Sequence, residues 1–304
     1  MAKIRIAIVG LGKIARDQHL PALAASDAFE LVGVASPHSA LEAVPSFKDL
    51  EGLLQAVPDV DAVALCTTPQ VRFDIARFAL QRGLHVLLEK PPGATVSEVI
   101  ALEKLANDSQ VTLFASWHSR HAAAVEPARE WLASRPIRSV TVNWKEDVRV
   151  WHPGQAWIWK AGGLGVFDPG INALSILTRI LAEPLVLQRA ELRFPGNCQT
   201  PIAASLQFSG ATRMELDFLY PGPPCWDIEV ATDTQRLHLS KGGSEMKLDG
   251  APVSLPAGAE YPRLYAHFAD LVRRNCSDVD VAPLQLVADA FLNGERVEVA
   301  AFNE

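Results

Sequence analysis

At 304 residues the chain is long enough for two domains with substantial cores. A formal charge of −7 and no long Lys/Arg run argue against a nucleic-acid partner. Four scattered cysteines lack metal-ligand or disulfide spacing, and the apolar opening run is short and broken by charge, so the expectation is a cytoplasmic protein without metal or membrane partner.

The chain opens on an alternating, β-branched run over 4–9 that ends in Gly10-x-Gly12-x-x-Ala15 and passes into helix-compatible sequence. Strand, tight turn and helix in that order form the dinucleotide-binding fingerprint. Gly10 permits the turn, Gly12 admits a pyrophosphate, and Ala15 allows close helix–strand packing. The backbone from Gly10 and Gly12 through Lys13 and Ile14 is the expected phosphate cradle, because a helix start offers unpaired N–H donors and partial positive charge. Further strands are predicted at 31–35, 62–66, 85–88 and 112–115, and helices at 21–25, 50–56, 71–81 and 97–106, the last with Ser97 as its N-cap. His19 is expected on the side of the first helix rather than as a ligand.

Beyond residue 120 the texture changes. A helix over 122–132 precedes strand-like runs at 140–147, 187–194, 203–208, 213–219, 227–232 and 236–240, with helices near 172–181, 261–274 and 283–293. The expected fold class is therefore α/β: an N-terminal Rossmann doubly wound parallel sheet over 1–120, and a C-terminal α/β domain with a largely antiparallel open sheet over 121–304. Helices on one face of the second sheet leave the other available to a partner subunit, which allows a homodimer.

Residues at strand ends carry the functional reading. The second strand ends Ala35-Ser36-Pro37-His38 without the Asp or Glu that grips the ribose hydroxyls in NAD-specific sites. Ser36 and His38 either hydrogen-bond a 2′-phosphate or simply cap a turn, and the expectation is dual use of NAD and NADP. Thr67-Thr68-Pro69 offers hydroxyl and backbone contacts at the next strand end, and Cys66 reads as strand packing. Glu89-Lys90-Pro91 drives a strand into a charged pair and a rigid turn. Lys90 there is either an exposed surface charge or a group that binds a substrate hydroxyl and stabilises developing alkoxide.

Together with Gly162-Gly163-x-x-x-x-Asp168-x-Gly170-x-Asn172, these motifs occur in an order and spacing that resembles the Gfo/Idh/MocA family of sugar and polyol oxidoreductases over essentially the whole chain. The resemblance implies a Rossmann domain followed by an α/β domain whose open sheet often mediates oligomerisation. It implies that Glu89 and Lys90 lie at the cofactor, and that Lys90 contacts the reacting hydroxyl. Asp168 matches the family's aspartate, while Asn172 stands where a histidine is usual. An amide is no general base near neutral pH, so the expected base is Asp168, with Lys90 and Asn172 orienting the hydroxyl. The bland alternative is that Asp168 only caps a helix.

The Asn172 replacement and the neighbourhood Trp144-Lys145-Glu146…Trp151-His152-Pro153 resemble a subgroup of that family, the aldose 1-dehydrogenases acting on D-galactose or L-arabinose. An anomeric hydroxyl is more acidic than an ordinary alcohol, which suits a carboxylate base. His118, Glu146, His152, Asp168 and Asn172 are then the candidate sugar contacts. Trp151, Trp157, Trp159 and Trp226 could supply an apolar wall, with Trp226 weighted towards framework. The alternatives are an inositol or other polyol dehydrogenase of the same family, and a non-catalytic NAD(P)-sensing regulatory protein.

Overall fold

The computed structural model describes residues 2–303, which form two compact units. One takes the chain through His118 together with Ala259–Val281; the other takes Ser119–Gly258 and the chain from Ala282 onward.

The first unit holds a six-stranded sheet of β1 (Ile4–Val9), β2 (Phe29–Ala35), β3 (Ser46–Phe47), β4 (Ala62–Leu65), β5 (His85–Glu89) and β6 (Leu113–Ser116). All neighbours pair in parallel, in the order β3-β2-β1-β4-β5-β6. β4 and β6 are buried along their whole length, as helices on both faces of a parallel sheet require. The order reverses between β1 and β4, which makes the carboxyl ends of those two strands the switch point where such sheets bind ligands.

Its helices are α1 (Leu20–Ala24), reached through a π-turn at Ala15–His19, α2 (Leu50–Ala56), α3 (Pro69–Leu80) and α4 (Val96–Asp108). The N-cap of α4 is Thr95 rather than Ser97. Thr95 Oγ1 accepts the Glu98 N–H at 3.2 Å, and Glu98 Oε2 accepts the Thr95 N–H at 3.3 Å. This Thr-x-x-Glu capping box satisfies two orphan donors reciprocally, which Ser97 inside the first turn cannot do.

The second unit contains α5 (Val125–Leu132), β7 (Ile137–Lys145), α6 (Val148–Trp151), α7 (Phe167–Ile180), β8 (Leu187–Pro195), β9 (Ala203–Phe208), β10 (Thr212–Asp217), β11 (Cys225–Thr232), β12 (Arg236–Ser240), β13 (Glu245–Leu248) and β14 (Ala251–Pro252). After α8 (Glu260–Arg274), it is completed by α9 (Ala282–Asn293) and β15 (Glu295–Val299). The sheet order is β14-β13-β12-β11-β7-β10-β9-β8-β15, antiparallel except for the β7–β10 and β8–β15 pairs. On β7 the residues Val140, Val142 and Trp144 are buried, whereas Thr141 on the opposite face is exposed beside Arg213 of β10. That alternation leaves one face of the sheet polar and open.

Helix α8 corrects the domain limits 1–120 and 121–304. Tyr261, Leu264, Tyr265, Phe268 and Leu271 enter one core with Leu23, Phe29 and Phe114 of the first unit. Its amphipathic period marks the helix but not the sheet it covers. Among the described residues no helix is long and apolar enough to cross a membrane.

Candidate active site

In the first unit the predicted cofactor residues gather at the carboxyl ends of the strands. Gly10 has φ +92, and a Cβ there would stand 2.7 Å from Thr67 N, so glycine lets the β1 turn meet the β4 turn. Gly12 faces open space, with nothing within 4 Å of where a Cβ would sit. Thr67 Oγ1 is buried and lacks a hydrogen-bond partner in the protein. Empty space over Gly12, an orphaned hydroxyl beside the turn and a helix starting at Lys13 fit a dinucleotide pyrophosphate. Thr68 is the N-cap residue of α3 and Pro69 its first residue. Lys13 and Ile14 begin the first helix, where Lys13 pairs with Asp17 on the exposed side. Ser36 and the exposed His38 follow β2, and the Ser36 N–H donates to Phe47 O at 2.8 Å.

Lys90 follows β5 directly and is held through its backbone. The Glu89 carboxylate turns inward, 2% exposed, and accepts the Lys90 N–H and the Tyr261 hydroxyl. From α3, the buried Arg72 guanidinium donates to the carbonyls of Thr67, Glu89 and Pro91. Sequence reasoning missed Arg72, Tyr261 and Tyr265, since no local pattern announces a partner so distant along the chain. It also placed His19 on the helix side, whereas His19 is fully buried against Glu89, with Nε2 3.3 Å from Oε1. The π-turn adds a residue and so rotates His19 onto the sheet side. His118 Nδ1 lies 2.7 Å from Glu260 Oε2, with its ring stacked on Tyr261.

Of the predicted sugar residues, Glu146, His152 and Asp168 form a cluster in the second unit, whereas His118 belongs to the first. Glu146 follows β7, pinned by its N–H to Asp217 O at 2.9 Å. His152 ends the short helix α6, whose N-cap Asp147 accepts the Arg149 N–H. Asp168 lies in the first turn of α7, four residues from Asn172 and thus on the same helix face. Gly170 lets this helix settle on β10, because a Cβ would approach Leu216 to 2.7 Å. The imidazole of His152 stands between two carboxylates, with Nε2 2.9 Å from Glu146 and Nδ1 3.6 Å from Asp168. Glu146 and Asp168 are each 3% exposed. The Trp226 indole donates to Glu146 at 2.8 Å and meets Trp151 edge-on, so it belongs to this cluster rather than to the framework alone. Trp159 packs instead on Phe218 and Phe302.

A glycine-turned Rossmann sheet with a lysine locked at a strand end defines a nicotinamide-nucleotide oxidoreductase. The model of the Gfo/Idh/MocA oxidoreductase family with an NAD-binding Rossmann fold matches residues 4–116. Galactose 1-dehydrogenase of Pseudomonas fluorescens is 47% identical over 99% of both chains. The crystal structure of D-galactose-1-dehydrogenase from Rhizobium etli superposes with a TM-score of 0.95 at 53% identity, covering 100% of this chain and 99% of that one. KijD10, a 3-ketoreductase from Actinomadura kijaniata solved with NADP and TDP-benzene, shares the fold at a TM-score of 0.83, with 19% identity over 98% of this chain and all of its own. The chain belongs to the Gfo/Idh/MocA family of oxidoreductases, and its cofactor is a nicotinamide dinucleotide.

Proposed function

We propose that the chain is an aldose 1-dehydrogenase that oxidises the anomeric carbon of D-galactose, and of L-arabinose, to the aldonolactone. The observation that carries this reading is the Glu146–His152–Asp168 cluster edged by Trp226 and Trp151, a polar set beside an aromatic wall of the kind that selects sugars. The 47% identity to galactose 1-dehydrogenase over nearly the full length supports it.

Lys90 donates to O1 and stabilises the charge that develops as its proton leaves. Asp168 takes that proton, and the Asn172 amide orients the hydroxyl. Glu146, His152, His118 and Trp151 grip the remaining sugar surface. A nicotinamide held there would supply the acceptor for the C1 hydride, and the sugar's ring oxygen would stabilise the electron-poor carbon left behind. Gly10, Gly12, Lys13 and Ile14 would hold the pyrophosphate, with Thr67, Thr68 and Pro69 lining the cofactor cleft, while the buried Glu89, expected at the cofactor, turns inward and acts through the Lys90 backbone. β2 ends in Ser36 and His38 rather than a carboxylate, which would admit NADP as well as NAD, and the Arg16 guanidinium reaches Ala40 O of the same loop at 3.4 Å.

The first unit is the nucleotide domain, and the second binds the sugar. The open face of the nine-stranded sheet pairs with a second copy, which sedimentation tests by its mass. Four free cysteines suit the reducing cytoplasm. Assay of aldoses and polyols with both nucleotides tests the function. Lactone from galactose supports it; turnover of inositols alone supports a polyol dehydrogenase, and nucleotide binding without turnover supports a sensor.

A further inference from the structure

Beneath Lys90 lies a buried polar chain that the reaction as written does not use. Tyr265 hydroxyl and His19 Nδ1 are 2.7 Å apart, His19 Nε2 is 3.3 Å from Glu89 Oε1, and Glu89 Oε2 accepts the Lys90 N–H. Tyr261 donates to the same carboxylate and meets the His19 ring edge-on at 5.0 Å. These groups arrive from the π-turn, β5 and α8. Of the other titratable groups, Cys66 acts on His19 and His118 on Glu89, while Glu260, paired with His118, acts on Tyr261.

An apolar cluster of similar volume would serve stability at least as well as a buried ion pair. What an apolar cluster cannot do is hold a peptide N–H. Glu89 takes the N–H of Lys90, and Arg72 takes the carbonyls of Glu89 and Pro91. The backbone on both sides of Lys90 is thereby fixed, so its side chain departs from a set point. Glu89 holds that N–H most strongly as an anion, and His19, with Nε2 3.3 Å from its carboxylate, is the cation paired with it, reinforced by His118.

We propose that His19 is a positioning residue for Lys90: by keeping the Glu89 carboxylate ionised, it sets where the Lys90 ammonium stands. Tyr265 fixes the His19 ring from its far side. The proposal rests on the aldose dehydrogenase reading for the role of Lys90, but the His19–Glu89–Lys90 linkage stands apart from the substrate.

The test compares wild type with His19→Gln, which keeps a donor but loses the charge, and with the milder Tyr265→Phe. D-galactose kinetics across pH, NADPH binding by fluorescence, and imidazole NMR are the readouts. For His19→Gln, kcat at pH 7 is expected to fall about tenfold or more, with NADPH affinity changed less than about threefold. Its kcat is also expected to gain a second acid-side decline, separate from the one Asp168 gives wild type, because Glu89 without its cation takes up a proton. Tyr265→Phe shows the same decline in weaker form. In wild type the His19 ring remains an imidazolium to a pH well above that of a free histidine.

A neutral His19 ring at pH 6, or a wild-type pH profile in both variants, overturns the proposal. So does a fall in kcat matched by an equal loss of nucleotide affinity. If wild type oxidises no aldose, the functional reading fails, and the NMR result alone decides the role of His19.

Discussion

His152 Nε2 stands 2.9 Å from Glu146 Oε1, which ties the end of α6 to the residue that follows β7. The same carboxylate accepts the Trp226 indole N–H, so one anion organises both the imidazole and an aromatic edge. Replacing Glu146 with Gln keeps the shape and removes the charge. The expected result is a rise of about tenfold in KM for D-galactose, roughly 1.4 kcal/mol, with kcat changed much less. A fall in kcat at constant KM would instead give this pair a part in moving the proton.

Lys90→Met keeps the aliphatic stem and removes the ammonium. If the charge stabilises an alkoxide only as it forms, kcat drops by a factor of the order of 10² to 10³ while nucleotide affinity barely changes. Steady-state kinetics and a fluorescence titration separate the two effects. A small change in kcat would return Lys90 to the status of a surface charge.

Asp168→Asn preserves the start of α7 and abolishes its capacity as a base. A loss in kcat of the order of 10² to 10⁴ is expected, together with disappearance of the rise in kcat as the pH climbs through the carboxylate range. Retention of that rise would move the base elsewhere.

Stability should follow the buried pair in the first unit. Burial pushes the Glu89 carboxyl up, but His19, joined by His118 and Tyr261, overrides it and takes the value down to about 2. Burial likewise opposes the His19 imidazolium, yet Cys66, Tyr265 and Glu89 hold it well above 6.5. The Glu89 contribution is therefore complete above 4.5 and lost as the pH falls towards 2. At about 1.4 kcal/mol per pH unit it amounts to about 3 kcal/mol. The His19 contribution is complete below 6.5 and lost as the pH rises through the elevated value. Urea unfolding across pH checks this: Glu89→Gln should flatten the acid limb relative to wild type, and an unchanged limb would contradict it.

Much of this was legible from the chain because the signals were local. The Gly10–Gly12 turn, the Lys90 strand end and the alternation on β7 each depend on neighbours a few residues away. Long-range partnerships left no such mark. His19 looked like any helix residue because a π-turn, not the ordinary helical repeat, decides where it points. Tyr261 and Tyr265 lie on a clearly amphipathic helix, but only the tertiary fold shows that α8 packs with β1 and β2 rather than with the strands preceding it in sequence. Glu146 and His152 were visible as polar residues near tryptophans, and their pairing emerged only when the end of β7 met the turn of α6.

The central claim is that hydride leaves C1 of an aldose. Incubation with D-galactose carrying deuterium at C1 and the oxidised nucleotide, followed by mass spectrometry of both products, tests it most directly. The expected result is a deuterated reduced nicotinamide, an unlabelled lactone and a primary isotope effect on the hydride step. Deuterium retained in the sugar while the nucleotide is reduced would contradict it.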